Sequence, residues 1–81
     1  MKPLTKLSSG ERAYIVDMRD GEICSILFEM RIFPGDMVEI KDNSANNNSV
    51  VIKVGNRTLN LVKNSAETII TNAVSFEINL N

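Results

Sequence analysis

Apolar residues change their spacing along this chain, and each change predicts a different element. Residues 12–18 are rich in β-formers and predict a strand. Beyond a break at Asp20-Gly21, apolar residues recur at helical spacing and predict a short helix over 22–30, with Asp20 or Gly21 as its N-cap. The stripe that would face the core consists of Ile23, Ile26, Leu27 and Met30. We therefore expect a strand followed at once by an amphipathic helix.

This helix carries more apolar surface than one-sided packing requires. Cys24 and Phe28 lie on the flank of the stripe and widen the apolar arc to roughly 200°, against about 100° for an ordinary surface helix. Ile32 and Phe33 extend the surplus beyond the helix. The surplus fits either a surface for a protein partner or the core of a small domain that needs every apolar side chain it has.

Turn residues divide the next part of the chain into short strands. Pro34 presets φ for the first central position of a turn, and Gly35 supplies the positive φ that a type II turn requires at the second. Glycine as the first residue of Gly55-Asn56 predicts a type II′ hairpin. The strands between these turns span 37–41, 50–54 and 57–62.

The remaining segments complete the predicted fold. The asparagine-rich segment 42–49 predicts a solvated loop, and 64–67 predicts a single helical turn. Apolar and polar residues alternate from Val74 to Leu80, which predicts an additional terminal strand within 72–81 and homo-oligomers by pairing of its edge. The sum is a mainly β fold, a small antiparallel barrel of five or six strands with one short helix between the first two strands.

Composition and charge exclude most chemistry that needs a dedicated site. The 81 residues make one domain, and the net charge is −1. Nine Lys and Arg residues are scattered without a run, which argues against nucleic-acid binding. The chain has no histidine and one cysteine, so it lacks both the commonest general base and a cluster for a borderline metal. We therefore predict a protein that is not an enzyme, with no catalytic residue, cofactor or metal site.

Isolated polar residues and the chain's start add little to this picture. Asp17 with Asp20, or Glu22 with Glu29, could bind a hard cation weakly, but surface carboxylates are ordinarily solvated charges. Cys24 is expected to pack as a small hydrophobe. The first residues lack the apolar region of a secretory leader, and no window is long enough to span a membrane, so we expect a cytoplasmic protein.

The order of several short motifs resembles the FeoA family, small cytosolic proteins associated with bacterial ferrous iron uptake. The most distinctive piece is 27–35, in which a helix passes through a leucine and Met30 and closes on Pro-Gly. The other matching segments are Leu4, Leu7, 10–13, 15–16, 52–55, 59–61 and 66–69. The residue after the methionine is usually glycine and is Arg31 here, and the segment after Asn72 runs past the usual domain end.

The resemblance implies an SH3-like β-barrel that assists the ferrous-iron permease FeoB by contacting its cytosolic GTP-binding region. It implies a family-level link to transition metal ions, no catalysis, and action at the inner face of the cytoplasmic membrane without insertion. The domain is also similar to the C-terminal barrel of iron-dependent repressors, which contributes protein–protein contacts within those regulators.

We therefore expect a partner-binding surface at the end of the helix and the turn that follows. Its candidate residues are Cys24, Leu27, Phe28, Met30, Arg31, Ile32 and Phe33. The alternative is a free-standing regulatory barrel that binds a metal-dependent transcription regulator or nucleic acid. A peptide-binding SH3 module is disfavoured, because one tyrosine, three phenylalanines and no tryptophan supply few aromatics for a proline-recognising groove.

Overall fold

The computed structural model describes residues 1–74, which form a six-stranded antiparallel sheet, two α-helices and a 3₁₀ turn. In chain order the elements are β1 (Lys2–Pro3), the 3₁₀ turn η1 (Leu4–Lys6), β2 (Arg12–Met18), α1 (Gly21–Glu29), β3 (Met37–Asp42), β4 (Ser49–Val54), β5 (Arg57–Val62), α2 (Lys63–Ala66) and β6 (Ile69–Ala73). The strand order in the sheet is β1-β6-β2-β3-β4-β5. The mainly β prediction is confirmed.

Four consecutive strands, β2 to β5, form an antiparallel meander, and β6 returns to pair with β2 on one side and β1 on the other. The register of β2 against β6 shifts between Ile15 and Asp17. Because a bulge resets the alternation of side chains, Met18 is buried and Asp17 stays in solvent. The bulge thus keeps a charged side chain out of the core.

The two edge strands of the sheet are bridged by helical segments. The 3₁₀ turn η1 contacts α2, and α2 contacts β4 and β5. Leu4, Leu7 and Ala66 from these segments join the main apolar cluster and are buried. The gap between β1 and β5 is therefore filled by packed side chains, which is how this short sheet encloses a core.

The short β1 changes the predicted position of the helix. We expected the helix between the first two strands, with 12–18 as the first; α1 instead lies between the second and third strands because β1 precedes it. Sequence pattern gave no signal for β1, since it has two residues and one is Pro3. Its pairing depends on β6, where the buried Thr71 hydroxyl donates to the Lys2 carbonyl at 2.9 Å.

The face that α1 buries also differs from the predicted stripe. Leu27 is buried, and Ile23, Cys24 and Met30 pack partly against the core. Ile26, predicted to face the core, is 48% exposed. The apolar arc was wide enough to allow several orientations, and packing against β2 selects the side that includes Cys24.

Other local predictions are confirmed. The Asp20 side chain accepts hydrogen bonds from the backbone N–H groups of Glu22 and Ile23, which makes Asp20 the N-cap of α1. Gly55 has a φ of 61° between β4 and β5, as a type II′ turn requires. The helical turn near 64–67 is α2.

The strand predicted from Val74 onward lies outside the described residues except for Val74, and it stays a prediction together with the oligomers it would form.

Candidate docking surface

The C-terminus of α1 is closed by two backbone hydrogen bonds that place Arg31 in an unusual conformation. The Arg31 N–H donates to the Phe28 carbonyl, and the Ile32 N–H donates to the Leu27 carbonyl, both at 2.9 Å. This pair of bonds is the Schellman motif, which requires a left-handed residue just after the helix. Arg31 has a φ of 62°, and it is the only non-glycine residue with positive φ in the described chain.

A four-residue turn follows and is bonded to β2. The Asp36 N–H donates to the Phe33 carbonyl at 3.0 Å, with Gly35 at a φ of 102°, so the predicted Pro-Gly turn is confirmed. The Asp36 carboxylate accepts from the Phe33 N–H at 2.9 Å. Two further bonds join Gly35 and Asp36 to the backbone of Ile15. The turn is therefore held in one place relative to the sheet.

The Schellman motif and the turn that follows bring two aromatic side chains together on the surface. The rings of Phe28 and Phe33 lie 5.0 Å apart between centroids at an angle of 51°, and each side chain is 45% exposed. Tilted aromatic pairs at such distances are favourable. We call these two residues the aromatic patch. Ile26, also exposed, lies about 160° away from Phe28 around the helix and belongs to the opposite flank.

The predicted partner-binding residues divide into two groups. Leu27 and Ile32 are each 1% exposed and form the core beneath the turn, which corrects the expectation that Ile32 is surplus surface. Cys24 and Met30 are half-buried. Phe28, Arg31 and Phe33 are exposed. The surface prediction therefore reduces to three residues that a partner can reach directly, held in place by buried neighbours.

A groove that sequence pattern did not indicate lies beside this surface. It has a volume of about 670 Å³ and runs between the end of α1 and the β4–β5 hairpin. Its lining includes Met30, Arg31, Asp36, Met37, Gly55 and Arg57. These residues come from three separate parts of the chain, so only the folded sheet brings them together.

The acidic side chains and Cys24 are the candidate metal ligands among the described residues. Across 1–74, no group of three or more Cys, Asp and Glu side chains could hold a metal ion. Asp17 pairs with Arg19 at 3.5 Å, and Asp20 caps α1, so that predicted carboxylate pair has structural contacts. In the same part of the chain, no helix has the length and apolarity that a membrane span requires.

Comparison with solved structures defines the class of the fold as an SH3-like β-barrel domain. The FeoA protein from Chlorobium tepidum superposes with a TM-score of 0.83 at 18% identity, over 96% of this chain and 74% of that one. The metal-dependent transcriptional regulator MtsR gives a TM-score of 0.79 at 14% identity, over 90% of this chain and 36% of the regulator. At these identities the likeness concerns the fold alone.

Comparison of the sequence with models of protein families identifies the family. The FeoA domain model matches residues 2–72, and the chain belongs to the FeoA domain family. Iron(II) transport protein A from Clostridium thermocellum is 33% identical with a TM-score of 0.78, over 91% of this chain and 46% of that chain. This protein therefore spans a little under half the length of that relative. A search among curated proteins finds no significant match.

Proposed function

We propose that this protein is a non-catalytic adaptor of ferrous iron uptake that binds and modulates a FeoB-type membrane GTPase. Membership of the FeoA domain family supports the link to iron transport. The 33% identity to an iron(II) transport protein A points the same way. Such an adaptor acts at the inner face of the cytoplasmic membrane, where the GTP-binding region of the transporter is available.

The observation that carries the proposal is the aromatic patch. A small domain has little apolar surface to spare, yet Phe28 and Phe33 keep nearly half of their side-chain surface in solvent. The backbone of each residue is held in place, that of Phe28 by the helix and that of Phe33 by the turn bonded to β2, and the two rings pack against each other. Preorganised aromatic side chains lose little conformational entropy on binding and often carry most of the energy of an interface.

Binding to the cytosolic region of the transporter tests this proposal. Replacing Phe28 and Phe33 with serine removes two central contacts of the interface, each worth about 2 kcal/mol or more at a binding hot spot. The affinity should then fall by at least about thirtyfold for one such contact, because 1.4 kcal/mol corresponds to a factor of ten. Isothermal titration calorimetry with the purified cytosolic region measures this loss.

Ile26→Ser is the matched control, because Ile26 is equally exposed and lies on the other flank of the same helix. It should leave the affinity within about twofold of wild type, as expected for a residue outside the interface. Circular dichroism checks that all variants remain folded. If the folded Phe28→Ser/Phe33→Ser variant binds the transporter as tightly as wild type, the aromatic patch is not the docking site.

A regulatory role is the second candidate, favoured by the likeness of the fold to a domain of a metal-dependent transcriptional regulator. In that case the domain would bind a transcription regulator or nucleic acid rather than a transporter. Gel-shift assays at low salt separate the nucleic-acid version from the adaptor, because binding driven by phosphate contacts weakens steeply as salt is added.

A further inference from the structure

The groove beside Arg31 continues into a second depression, and their walls carry an excess of positive charge. The second depression, about 290 Å³, shares Met37 and Gly55 with the first. Together their walls include four cationic side chains: Arg12, Arg31, Lys53 and Arg57. We call the two depressions together the basic groove. Neither Phe28 nor Phe33 lines it.

The charges of the basic groove are largely uncommitted within the described chain. Across 1–74 none of its four cations forms an ion pair. The groove also contains two carboxylates. The Glu39 carboxylate pairs with Lys41 at 3.7 Å, and the Asp36 carboxylate accepts a hydrogen bond from the Phe33 N–H. Four cations thus face two carboxylates that already have partners, although the whole chain has a net charge of −1.

The backbone at Arg31 adds a second, independent observation. A left-handed conformation costs an L-residue about 1–2 kcal/mol, and glycine is the residue that avoids this cost. This chain nevertheless places a long cationic side chain at the position, and it does so at the wall of the groove. The Schellman motif explains the conformation, and retention of arginine there fits a use for its side chain, since strained residues cluster at functional sites.

We propose that the basic groove binds an acidic segment of a protein partner, with glutamate or aspartate side chains beside Arg31 and Arg57 and an apolar side chain against Met30 and Met37. Methionine is suited to the apolar part because its flexible thioether adapts to different shapes. Met37 is 37% exposed and lies where the two depressions meet. The inference requires neither the aromatic patch nor the transporter as partner, although Met30 and Arg31 also belong to the predicted partner-binding residues.

The mixture of groups favours a peptide over a nucleic acid. A phosphate backbone requires a continuous run of cations to displace its counterions. The lining of the basic groove mixes its four cations with the carboxylates of Asp36 and Glu39 and with the apolar side chain of Met37. An acidic peptide can place its carboxylates beside the arginines and direct other side chains elsewhere, whereas a regularly charged strand cannot.

Titration of the ¹⁵N-labelled protein with a synthetic peptide, in which glutamates flank a central leucine, tests the inference by NMR. At low salt, shifts should concentrate at Met37, Gly55 and Arg57, and 1 M salt should abolish them because charges are then screened within about 3 Å. Arg57→Gln and Arg31→Gly should each weaken binding by up to about fivefold, the range of a partly exposed ion pair. The double variant should weaken it by about tenfold or more.

Lys6→Gln is the matched control, because it removes one exposed cation outside the groove and should leave the affinity unchanged. The same peptide with glutamines in place of glutamates should bind at least about tenfold more weakly. The inference is overturned if the glutamine peptide binds equally well, if Arg57→Gln has no effect, or if the shifts fall elsewhere. It is equally overturned if short oligothymidylate binds more tightly than the acidic peptide, since the groove would then be a nucleic-acid site.

Discussion

Replacing Arg31 with glycine should leave this domain about as stable as before, although it removes a side chain and a charge. Arg31 occupies the left-handed position that closes α1, with a φ of 62°. The two Schellman hydrogen bonds and the burial of Leu27 and Ile32 on either side hold it there. Because its neighbours impose the left-handed conformation, a substitution at position 31 leaves the backbone path in place. It changes only the energy that this conformation costs.

The magnitude follows from three opposing effects. Removing the Cβ from a left-handed residue recovers about 1–2 kcal/mol. Glycine is more flexible in the unfolded chain, and this entropy lowers the free energy of unfolding by about 0.4–1 kcal/mol. Losing a cation at a helix C-terminus costs about 0.3–1 kcal/mol at an exposed site. The three effects nearly cancel, so we expect Arg31→Gly to change the free energy of unfolding by only about 0.2 kcal/mol, in the stabilising direction.

Alanine at the same position provides the sharper comparison. Arg31→Ala and Arg31→Gly both remove the charge, so the difference between them contains only the backbone effects. Glycine should be the more stable by about 1 kcal/mol, which for a domain of this size corresponds to about 4–8 °C in Tm. Urea unfolding and calorimetry measure both quantities. If Arg31→Gly unfolds no later than Arg31→Ala, the left-handed strain that we assign to Arg31 does not exist.

Two further predictions concern side chains that hydrogen-bond to the backbone, Asp20 at the start of α1 and Asn43 beside η1. Asp20→Ala should lower the free energy of unfolding by about 1 kcal/mol, because the N–H groups of Glu22 and Ile23 lose their acceptor; a urea midpoint equal to that of wild type would contradict the capping role. Asn43→Ala should cost about 1–3 kcal/mol, since the Asn43 amide donates to the carbonyls of Thr5 and Leu7 at 3.0 and 2.6 Å. Faster hydrogen exchange should appear near η1, and unchanged exchange there would argue against this tie.

Local signals predicted the parts of the fold that depend on local chemistry. The Asp20 cap, the Pro34-Gly35 turn and the Gly55 hairpin all appear where the sequence places them, because each depends on the φ range or the side-chain acceptor of one residue. By contrast, β1 and η1 exist only through pairing with β6 and packing against α2. The sequence of such short segments does not indicate which distant residues they will contact, so β1 and η1 could not be predicted.

The candidate site divides in the same way. The exposed aromatics at Phe28 and Phe33 could be predicted, because the helix had more apolar residues than one face can bury. Which residues became core could not, since Ile26 and Ile32 exchange roles once α1 packs against β2. The basic groove could not be predicted from the sequence, because Arg31 and Arg57 are distant in the chain and come to line one depression only in the folded protein.

The position of β6 between β1 and β2 sets the order in which this chain can assemble on the ribosome. The β2–β5 meander can begin to pair as it emerges, because each of its strands follows its neighbour in sequence. The first residues of the chain must wait for Ile69–Ala73, the strand that joins them to the rest. Non-local closure of this kind slows folding. A nascent chain halted before β6 would keep its amino-terminal segment unpaired, where chaperones and proteases can reach it.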